Sequence, residues 1–370
     1  MKTSPYHFLD TPSLLIDKDI MTDNLDFMQK KANRFKVSLR PHTKTHKMSD
    51  LAKLQIEFGA AGITVAKTGE AEVMAAQGLQ NVFIANQIVG HSKLKRIKTL
   101  NRSIDISLGV DDRVQIDQLE AVFSGEKKKI SVLIEIEVGE NRAGIIGDEK
   151  LLDLAKYIHS RKNVTLEGVF SHEGHTYKAK DINACIEAAA EAHARTIRAA
   201  DLIRGIGIDL KTVSIGATPS LMQCDIPEGI TEIRPGTYIL MDAGQGAAIG
   251  SFDRCAATIL ATVTSKPTEE RVIVDAGAKA LTSQNRGLGI CHTPGFGLLK
   301  GFGGLRLDSL YDEHGVIMDR TFRSTVSIGD KVEIIPNHIC PTCNLFDVGY
   351  LVSRGEVIQE LPVLCRGKLQ

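Results

Sequence analysis

From about residue 20 to residue 247 the chain alternates helix-period segments with short apolar runs, and this alternation constrains the fold more than any other feature. The first helix is expected over residues 20–34, with Leu25, Met28 and Ala32 on one face. Ser49 is placed to cap a second helix, with Leu51, Leu54 and Phe58 facing inward and Gly59 just past its end. The apolar runs between helices read as buried strands at 37–39, 63–66, 82–85, 104–108, 130–138, 166–170, 213–215 and 232–239. Strands separated by helices pair in parallel, and eight such units predict an α/β fold built on a (β/α)8 barrel of the TIM type. A doubly wound open sheet is the rival, but the glycine-rich dinucleotide fingerprint expected after its first strand is missing.

The last third reads differently. Runs at 257–264, 271–274, 332–335 and 348–352 have strand character, few long amphipathic segments separate them, and Gly-Asp at 329–330 and Arg-Gly at 354–355 are turn signals. The expected organisation is a barrel over residues 19–247 and a mostly β second domain over 248–370. The early run 13–16 has no barrel partner before it and is expected to add a strand to that second domain, taking residues 1–18 with it. A length of 370 residues exceeds one ordinary core and agrees with such a division. Basic and acidic residues balance at 45 each, which removes any global case for binding nucleic acid or an anionic membrane. No apolar run reaches transmembrane length and residues 1–10 do not read as a signal peptide. The seven cysteines are scattered and odd in number, so reduced thiols and a cytoplasmic location are expected.

Active sites of such barrels lie at the C-terminal ends of the strands, so the residues just after each run belong together. After the first run comes Pro41-His42-Thr43-Lys44-Thr45-His46-Lys47, a crowd of cations. A lysine amine made neutral by neighbouring cations attacks a carbonyl and holds it as a Schiff base. Later runs deliver Asn86 and Gln87, then Arg142, then Ser171, His172, His175 and Tyr177. The seventh and eighth deliver Gly216, Thr218 and Ser220, then Arg234, Gly236, Thr237 and Tyr238. Small residues in those last two loops let backbone N–H groups approach an anion. Each residue alone has a bland reading as loop polarity or turn. Together they suit a phosphorylated carbonyl cofactor held by Lys44 at one end and by its phosphate at the other, and pyridoxal phosphate is that cofactor.

A second constellation, Pro336-Asn337-His338-Ile339-Cys340-Pro341-Thr342-Cys343-Asn344, follows a strand-like run. In an extended segment His338 and Cys340 point the same way and reach one ion, and imidazole with thiolate favours zinc. Cys340 and Cys343 could instead form a redox pair or half a zinc ribbon, but a second CxxC and a thioredoxin-like context are both missing. A buried histidine beside two apolar cysteines is the bland alternative.

These motifs resemble those of the D-serine dehydratase and D-threonine aldolase family, fold type III pyridoxal phosphate enzymes with the alanine racemase-like barrel and β domain. Arg40-Pro41-His42-Thr43-Lys44-Thr45-His46-Lys47 resembles the cofactor-lysine motif, with Lys44 at the Schiff-base position, and His338-x-Cys340 followed by Pro-Thr-x-Asn resembles the metal motif. The resemblance implies that Lys44, Arg142, Tyr177, Thr218, Gly236 and Thr237 contact the cofactor. Arg142 would lie near the pyridine nitrogen, although it suits a salt bridge at the barrel mouth equally well. It further implies zinc at His338 and Cys340, with Mn2+ or Mg2+ as alternatives, and a homodimer acting on a small D-amino acid. Aldolases of the family carry His-x-Asp and dehydratases His-x-Cys, so Cys340 favours a dehydratase. Lys44 would then remove the α-proton of a D-β-hydroxy amino acid such as D-serine, and the metal would bind the hydroxyl that leaves. The products would be a keto acid and ammonia. In the alternative aldolase reading His172 takes the hydroxyl proton and the products are glycine and an aldehyde. A racemase would need a second base and no metal pair. A non-enzymatic pyridoxal phosphate carrier would lack the β domain.

Overall fold

The structure, a computed structural model, describes residues 4–370. It forms two compact units. One takes Met28–Lys44, Ser49–Gly236 and Gly367–Gln370; the other takes the residues up to Phe27 with Thr45–Met48 and Thr237–Arg366. Strand β1 (Ser13–Asp17) and helix α1 (Lys18–Arg34) open the chain.

The barrel strands are β2 (Ser38–Leu39), β3 (Ile63–Val65), β4 (Asn81–Gln87), β5 (Asp105–Val110), β6 (Ile130–Ile136), β7 (Val164–Ser171), β8 (Thr212–Ile215) and β9 (Glu232–Ile233). They pair in parallel in the order β2-β9-β8-β7-β6-β5-β4-β3. A single parallel bridge between His42 and Thr64, with Ala61 N–H donating to Leu39 C=O at 2.8 Å, joins the two ends of the series. A helix follows each strand from β2 to β8: α2 (Ser49–Glu57), α3 (Thr68–Ala76), α4 (His91–Asn101), α5 (Arg113–Val122), α6 (Asp148–His159), α7 (Ile182–Gly205) and α8 (Thr218–Gln223). Right-handed β–α–β crossovers require this alternation, so the sequence period already encoded the barrel.

The strands are apolar because they are covered on both faces; Val132, Ile134, Val169 and Val213 are fully buried. Inside, Phe83 and Phe170 meet edge to face at 5.0 Å, and each buried aromatic contributes roughly 2–3 kcal/mol. The guanidinium of Arg234 lies 5.7 Å and 5.2 Å from these two ring centres. A buried cation needs acceptors, and Arg234 has them: Nη2 donates to Ser171 C=O at 2.6 Å and Nη1 to Ser214 Oγ.

The final barrel run is shorter than the sequence predicts. Only Glu232–Ile233 pair as a strand. Pro235 has no N–H to give to a ladder, and Thr237–Ile239 turn as a 3₁₀ helix.

In the other unit β1 pairs antiparallel with β10 (Ala257–Ser265) and parallel with β16 (Val348–Ser353), as its lack of an earlier barrel partner suggested. The nine-stranded sheet is completed by β11 (Arg271–Val274), β12 (Leu298–Leu299), β13 (Ser309–Leu310), β14 (Gly315–Met318), β15 (Lys331–Ile335) and β17 (Glu356–Pro362). Its short helices are α9 (Ala243–Ile249), α10 (Ala278–Leu281), α11 (Arg320–Thr325) and α12 (Ile339–Cys343). Among the described residues no helix is long and apolar enough to cross a membrane.

Candidate active site

β2 ends at Leu39, and the chain leaves the barrel through a 3₁₀ turn, Thr43–Thr45, that carries Lys44. Thr43 anchors the turn by donating to Thr64 C=O at 3.1 Å, and His42 Nδ1 accepts the Lys44 backbone N–H at 3.4 Å. Burial holds the His42 pKa well below its ordinary value, with the charges of Lys44, Arg234 and His172 adding to the effect. Burial likewise lowers His172, at the end of β7, to about 4; the Lys44 charge reinforces this and Glu173 opposes it. Both rings are therefore neutral at pH 7. His172 Nδ1 sits on Gly216 C=O. A carbonyl only accepts, so Nδ1 carries the hydrogen and Nε2 presents a lone pair. Lys44 and His172, singled out from the sequence, thus act on each other at one end of the barrel.

Arg142 is more than half exposed and lies 3.5 Å from the buried Glu135 carboxylate, which also accepts from Gln87. The salt bridge that the sequence allowed is present. A pair with one partner so open to solvent contributes little stability, about 0–1 kcal/mol.

The β8–α8 loop has the features of an anion site. Gly216 can be nothing larger, since a Cβ there would stand 2.8 Å from Arg234 C=O. Thr218 is 1% exposed and its hydroxyl has no hydrogen-bond partner. A buried hydroxyl without a partner costs roughly 1–3 kcal/mol, a penalty that a bound acceptor would remove. Ser220, one turn on, donates to Glu173 at 2.7 Å and to Ala217 C=O at 3.0 Å. Gly236 follows Pro235 and is partly buried. Tyr177 is partly buried in the 3₁₀ turn Gly174–Lys178. The same turn holds His175, whose Nδ1 is buried without a partner and whose ring covers Gly139 closely, 3.1 Å from where a Cβ would stand. The loop and its unmatched hydroxyl fit the phosphate of the implied cofactor.

The second constellation lies in the β unit. The extended run that the sequence predicted stops at His338: that residue is extended and is the N-cap of α12, whereas Cys340 sits in the first helical turn. Pro341 suits a helix's opening turn, where no N–H is needed. His338 Nδ1 pairs with Gln284 Oε1 at 3.0 Å, so Nδ1 carries the hydrogen and Nε2 the lone pair. The Cys340 thiol donates to Thr45 Oγ1 at 3.3 Å and lies 3.8 Å from Thr237 Oγ1. Thr237, assigned to the cofactor from sequence, therefore has its hydroxyl beside this sulfur. Among the described residues no group of three or more His, Cys, Asp or Glu is gathered for a metal. A nitrogen–sulfur pair of this kind fits an open catalytic ion completed by water and substrate, not a closed structural one. Cys343 is fully buried, and burial, followed by the Cys340 charge, raises its pKa well above the ordinary value.

Sequence reasoning missed Glu173, His193 and Gln284. Glu173 stood inside a motif from which Ser171, His172, His175 and Tyr177 were chosen. An acid at the end of an apolar strand was a usable signal, since such a group must find partners when buried.

Fold and site together define an enzyme of the alanine racemase-like class. Residues 16–243 match the family model "Alanine racemase, N-terminal domain", and residues 256–352 match "Putative serine dehydratase domain". The D-threonine aldolase of Arthrobacter sp. is 33% identical over 96% of this chain and 92% of its own length. Among solved structures, the D-threonine aldolase of Filomicrobium marinum superposes with a TM-score of 0.91 at 30% identity, covering 100% of both chains. The D-threo-3-hydroxyaspartate dehydratase of Delftia sp. HT23 superposes with a TM-score of 0.90 at 27% identity, over 98% of this chain and 99% of its own. That dehydratase has also been solved with a cysteine replaced by alanine in a metal-free form, and with a histidine two positions earlier replaced by alanine. The chain belongs to the D-serine dehydratase and D-threonine aldolase family of pyridoxal phosphate enzymes, and it is a lyase.

Proposed function

We propose that this lyase is a pyridoxal phosphate- and zinc-dependent dehydratase that converts a D-β-hydroxy amino acid such as D-serine to a keto acid and ammonia. The observation that carries the choice of reaction is the imidazole–thiol pair His338 and Cys340, where the aldolase motif has aspartate in second place. The Delftia dehydratase, with its substituted histidine and cysteine at the same spacing, supports it.

In this reading the barrel, residues 19–247, binds the cofactor, and residues 248–370 with 1–18 bring the metal pair. The cofactor, when bound, supplies an electron sink for the charge left on the substrate Cα. Lys44 Nζ anchors its carbonyl and, once released, takes the α-proton. Thr218, Gly236 and Thr237 are assigned to its phosphate end, and Tyr177 and Arg142 to its ring. An ion on His338 Nε2 and Cys340 Sγ would supply a Lewis acid for the leaving hydroxyl, and a soft thiolate suits zinc better than Mn2+ or Mg2+. His172 Nε2 has a lone pair and no hydrogen, so it orients the substrate hydroxyl by accepting from it.

That last feature favours a second reading. A neutral imidazole ready to accept a hydroxyl proton is what aldol cleavage needs, and relatives at 33% and 30% identity are D-threonine aldolases. A carrier protein without catalysis is disfavoured by the nine-stranded second unit. The balanced charge supports an absence of nucleic-acid and membrane partners, and seven reduced cysteines support a cytoplasmic enzyme; we assign it as a homodimer by resemblance.

Incubation with D-serine, D-threonine and D-threo-3-hydroxyaspartate, with keto acid and aldehyde assayed in parallel, tests the choice. Keto acid and ammonia from D-serine are expected. Glycine and acetaldehyde from D-threonine, with no keto acid from D-serine, would put the aldolase in its place.

A further inference from the structure

Glu173 has no part in the chemistry above, yet it is fully buried and held on every side. Its Oε2 accepts the Gly216 N–H at 3.2 Å. Its Oε1 accepts the Ser220 hydroxyl at 2.7 Å and His193 Nε2 at 3.4 Å. Burial works against the charge, but the His193 hydrogen bond and charge, His172 and the Ser220 hydroxyl keep the carboxyl ionised, with a pKa of about 2. The residue before it, His172, donates to Gly216 C=O. Two consecutive residues at the end of β7 therefore clamp both polar groups of one glycine in the loop after β8. That glycine is already confined, since a Cβ would strike Arg234 C=O.

The clamp also sorts the loop's two hydroxyls. Ser220 is turned to Glu173 and Ala217, whereas the buried Thr218 hydroxyl has no partner. We propose that Glu173 is the positioning residue of this loop: by holding Gly216 N–H and Ser220 it leaves the Thr218 hydroxyl for a phosphate monoester, the phosphate end of the cofactor. His193 Nε2, at 3.4 Å, is the third group that holds the carboxylate in place. Through Gly216 the same carboxylate also steadies the imidazole of His172. This inference rests on the cofactor reading given above.

Glu173→Gln tests it. An amide cannot accept on both sides, so either Gly216 N–H or the Ser220 and His193 side loses its acceptor. The full chain, freed of cofactor, is titrated with pyridoxal 5'-phosphate and with pyridoxal, which lacks the phosphate, and binding is followed by visible absorbance. Glu173→Gln should weaken pyridoxal 5'-phosphate binding about tenfold or more, the scale of a hydrogen bond to a charged group, while pyridoxal binding changes less than about twofold. Thr218→Val should show the same selectivity. If Glu173→Gln binds the phosphorylated form as tightly as wild type, or loses both forms equally, the positioning role is overturned. If Glu173→Gln does not fold, Ser220→Ala removes one partner of the clamp and should still lower the ratio of the two affinities; an unchanged ratio overturns the proposal. Wild-type protein that binds neither compound, or both alike, overturns the cofactor reading itself and the inference with it.

Discussion

The β8–α8 loop and the start of α12 are both short polar segments at the end of a strand, yet they are built in opposite ways. In the loop, Gly216 has its N–H held by Glu173 and its C=O by His172, and Glu173 is tied in turn to the buried His193 and Ser220. At α12 the two candidate donors are half-exposed and rest on an exposed amide, Gln284, and a hydroxyl, Thr45. A site that must bind one rigid anion permanently gains from being fixed in advance. A site that must admit water, substrate and an ion by turns needs open positions. Substitutions in the loop should therefore act on cofactor affinity, and substitutions at α12 on turnover and metal.

The largest effect should come from Lys44. Lys44→Ala should abolish the visible absorbance of the loaded enzyme and lower kcat/KM about a thousandfold or more, measured by steady-state kinetics. Retained turnover with the absorbance lost would break the comparison at its first member.

Next is the metal. Chelation should reduce keto acid formation about a hundredfold, a loss of roughly 3 kcal/mol of transition-state stabilisation, while circular dichroism and the visible absorbance stay as they were. Zinc should restore the rate. Cys340→Asp should shift the preference toward manganese, because a carboxylate replaces a soft thiolate. Full activity in chelator would remove α12 from the chemistry.

Gly236→Val should weaken cofactor binding by about tenfold to a hundredfold with little change in melting temperature, since a branched side chain keeps an anion from the backbone. Equal cofactor affinity would detach the segment after β9 from the phosphate.

The smallest effect sharpens the role of His172. Asparagine can keep the donor to Gly216 C=O but lacks the Nε2 lone pair. In a dehydratase His172→Asn should cost about tenfold, mostly in KM; in an aldolase it should cost about a hundredfold or more in kcat. The pH dependence has a definite sign. Folding lowers the His172 pKa from the ordinary 6.5 to about 4, so the unfolded chain binds the extra proton between those values. The stability from keeping His172 neutral is complete above pH 6.5 and is lost as pH falls toward 4. Wild type should lose melting temperature across that window more steeply than His172→Asn; parallel curves would contradict the assignment.

The barrel was legible because its evidence is local: each strand is an apolar run and each helix a periodic one, so β3 to β8 fall where their runs lie. β9 was overread because Tyr238 and Ile239 resume strand-like residues after Arg234–Thr237, and such residues do not distinguish a strand from a buried 3₁₀ turn. The bend at His338 was missed for a similar reason: Ile339 is a strand-like residue, yet the helical turn begins there. Lys44 and His172 could be chosen because strand ends mark the chemical face of a barrel. Glu173 offered only the signal of an acid at a strand end; its role stayed hidden because its partners lie 20, 43 and 47 residues further along and meet it only when α7 and β8 have packed. Nor does any pattern show that Thr45–Met48 belong with the β unit while Lys44 belongs with the barrel.

The central claim is that Lys44 holds the cofactor at the barrel end where Thr218 waits for its phosphate. Borohydride reduction of the loaded enzyme followed by peptide mapping measures this directly. The label should fall on Lys44. A label on Lys47, or no label at all, would contradict the account.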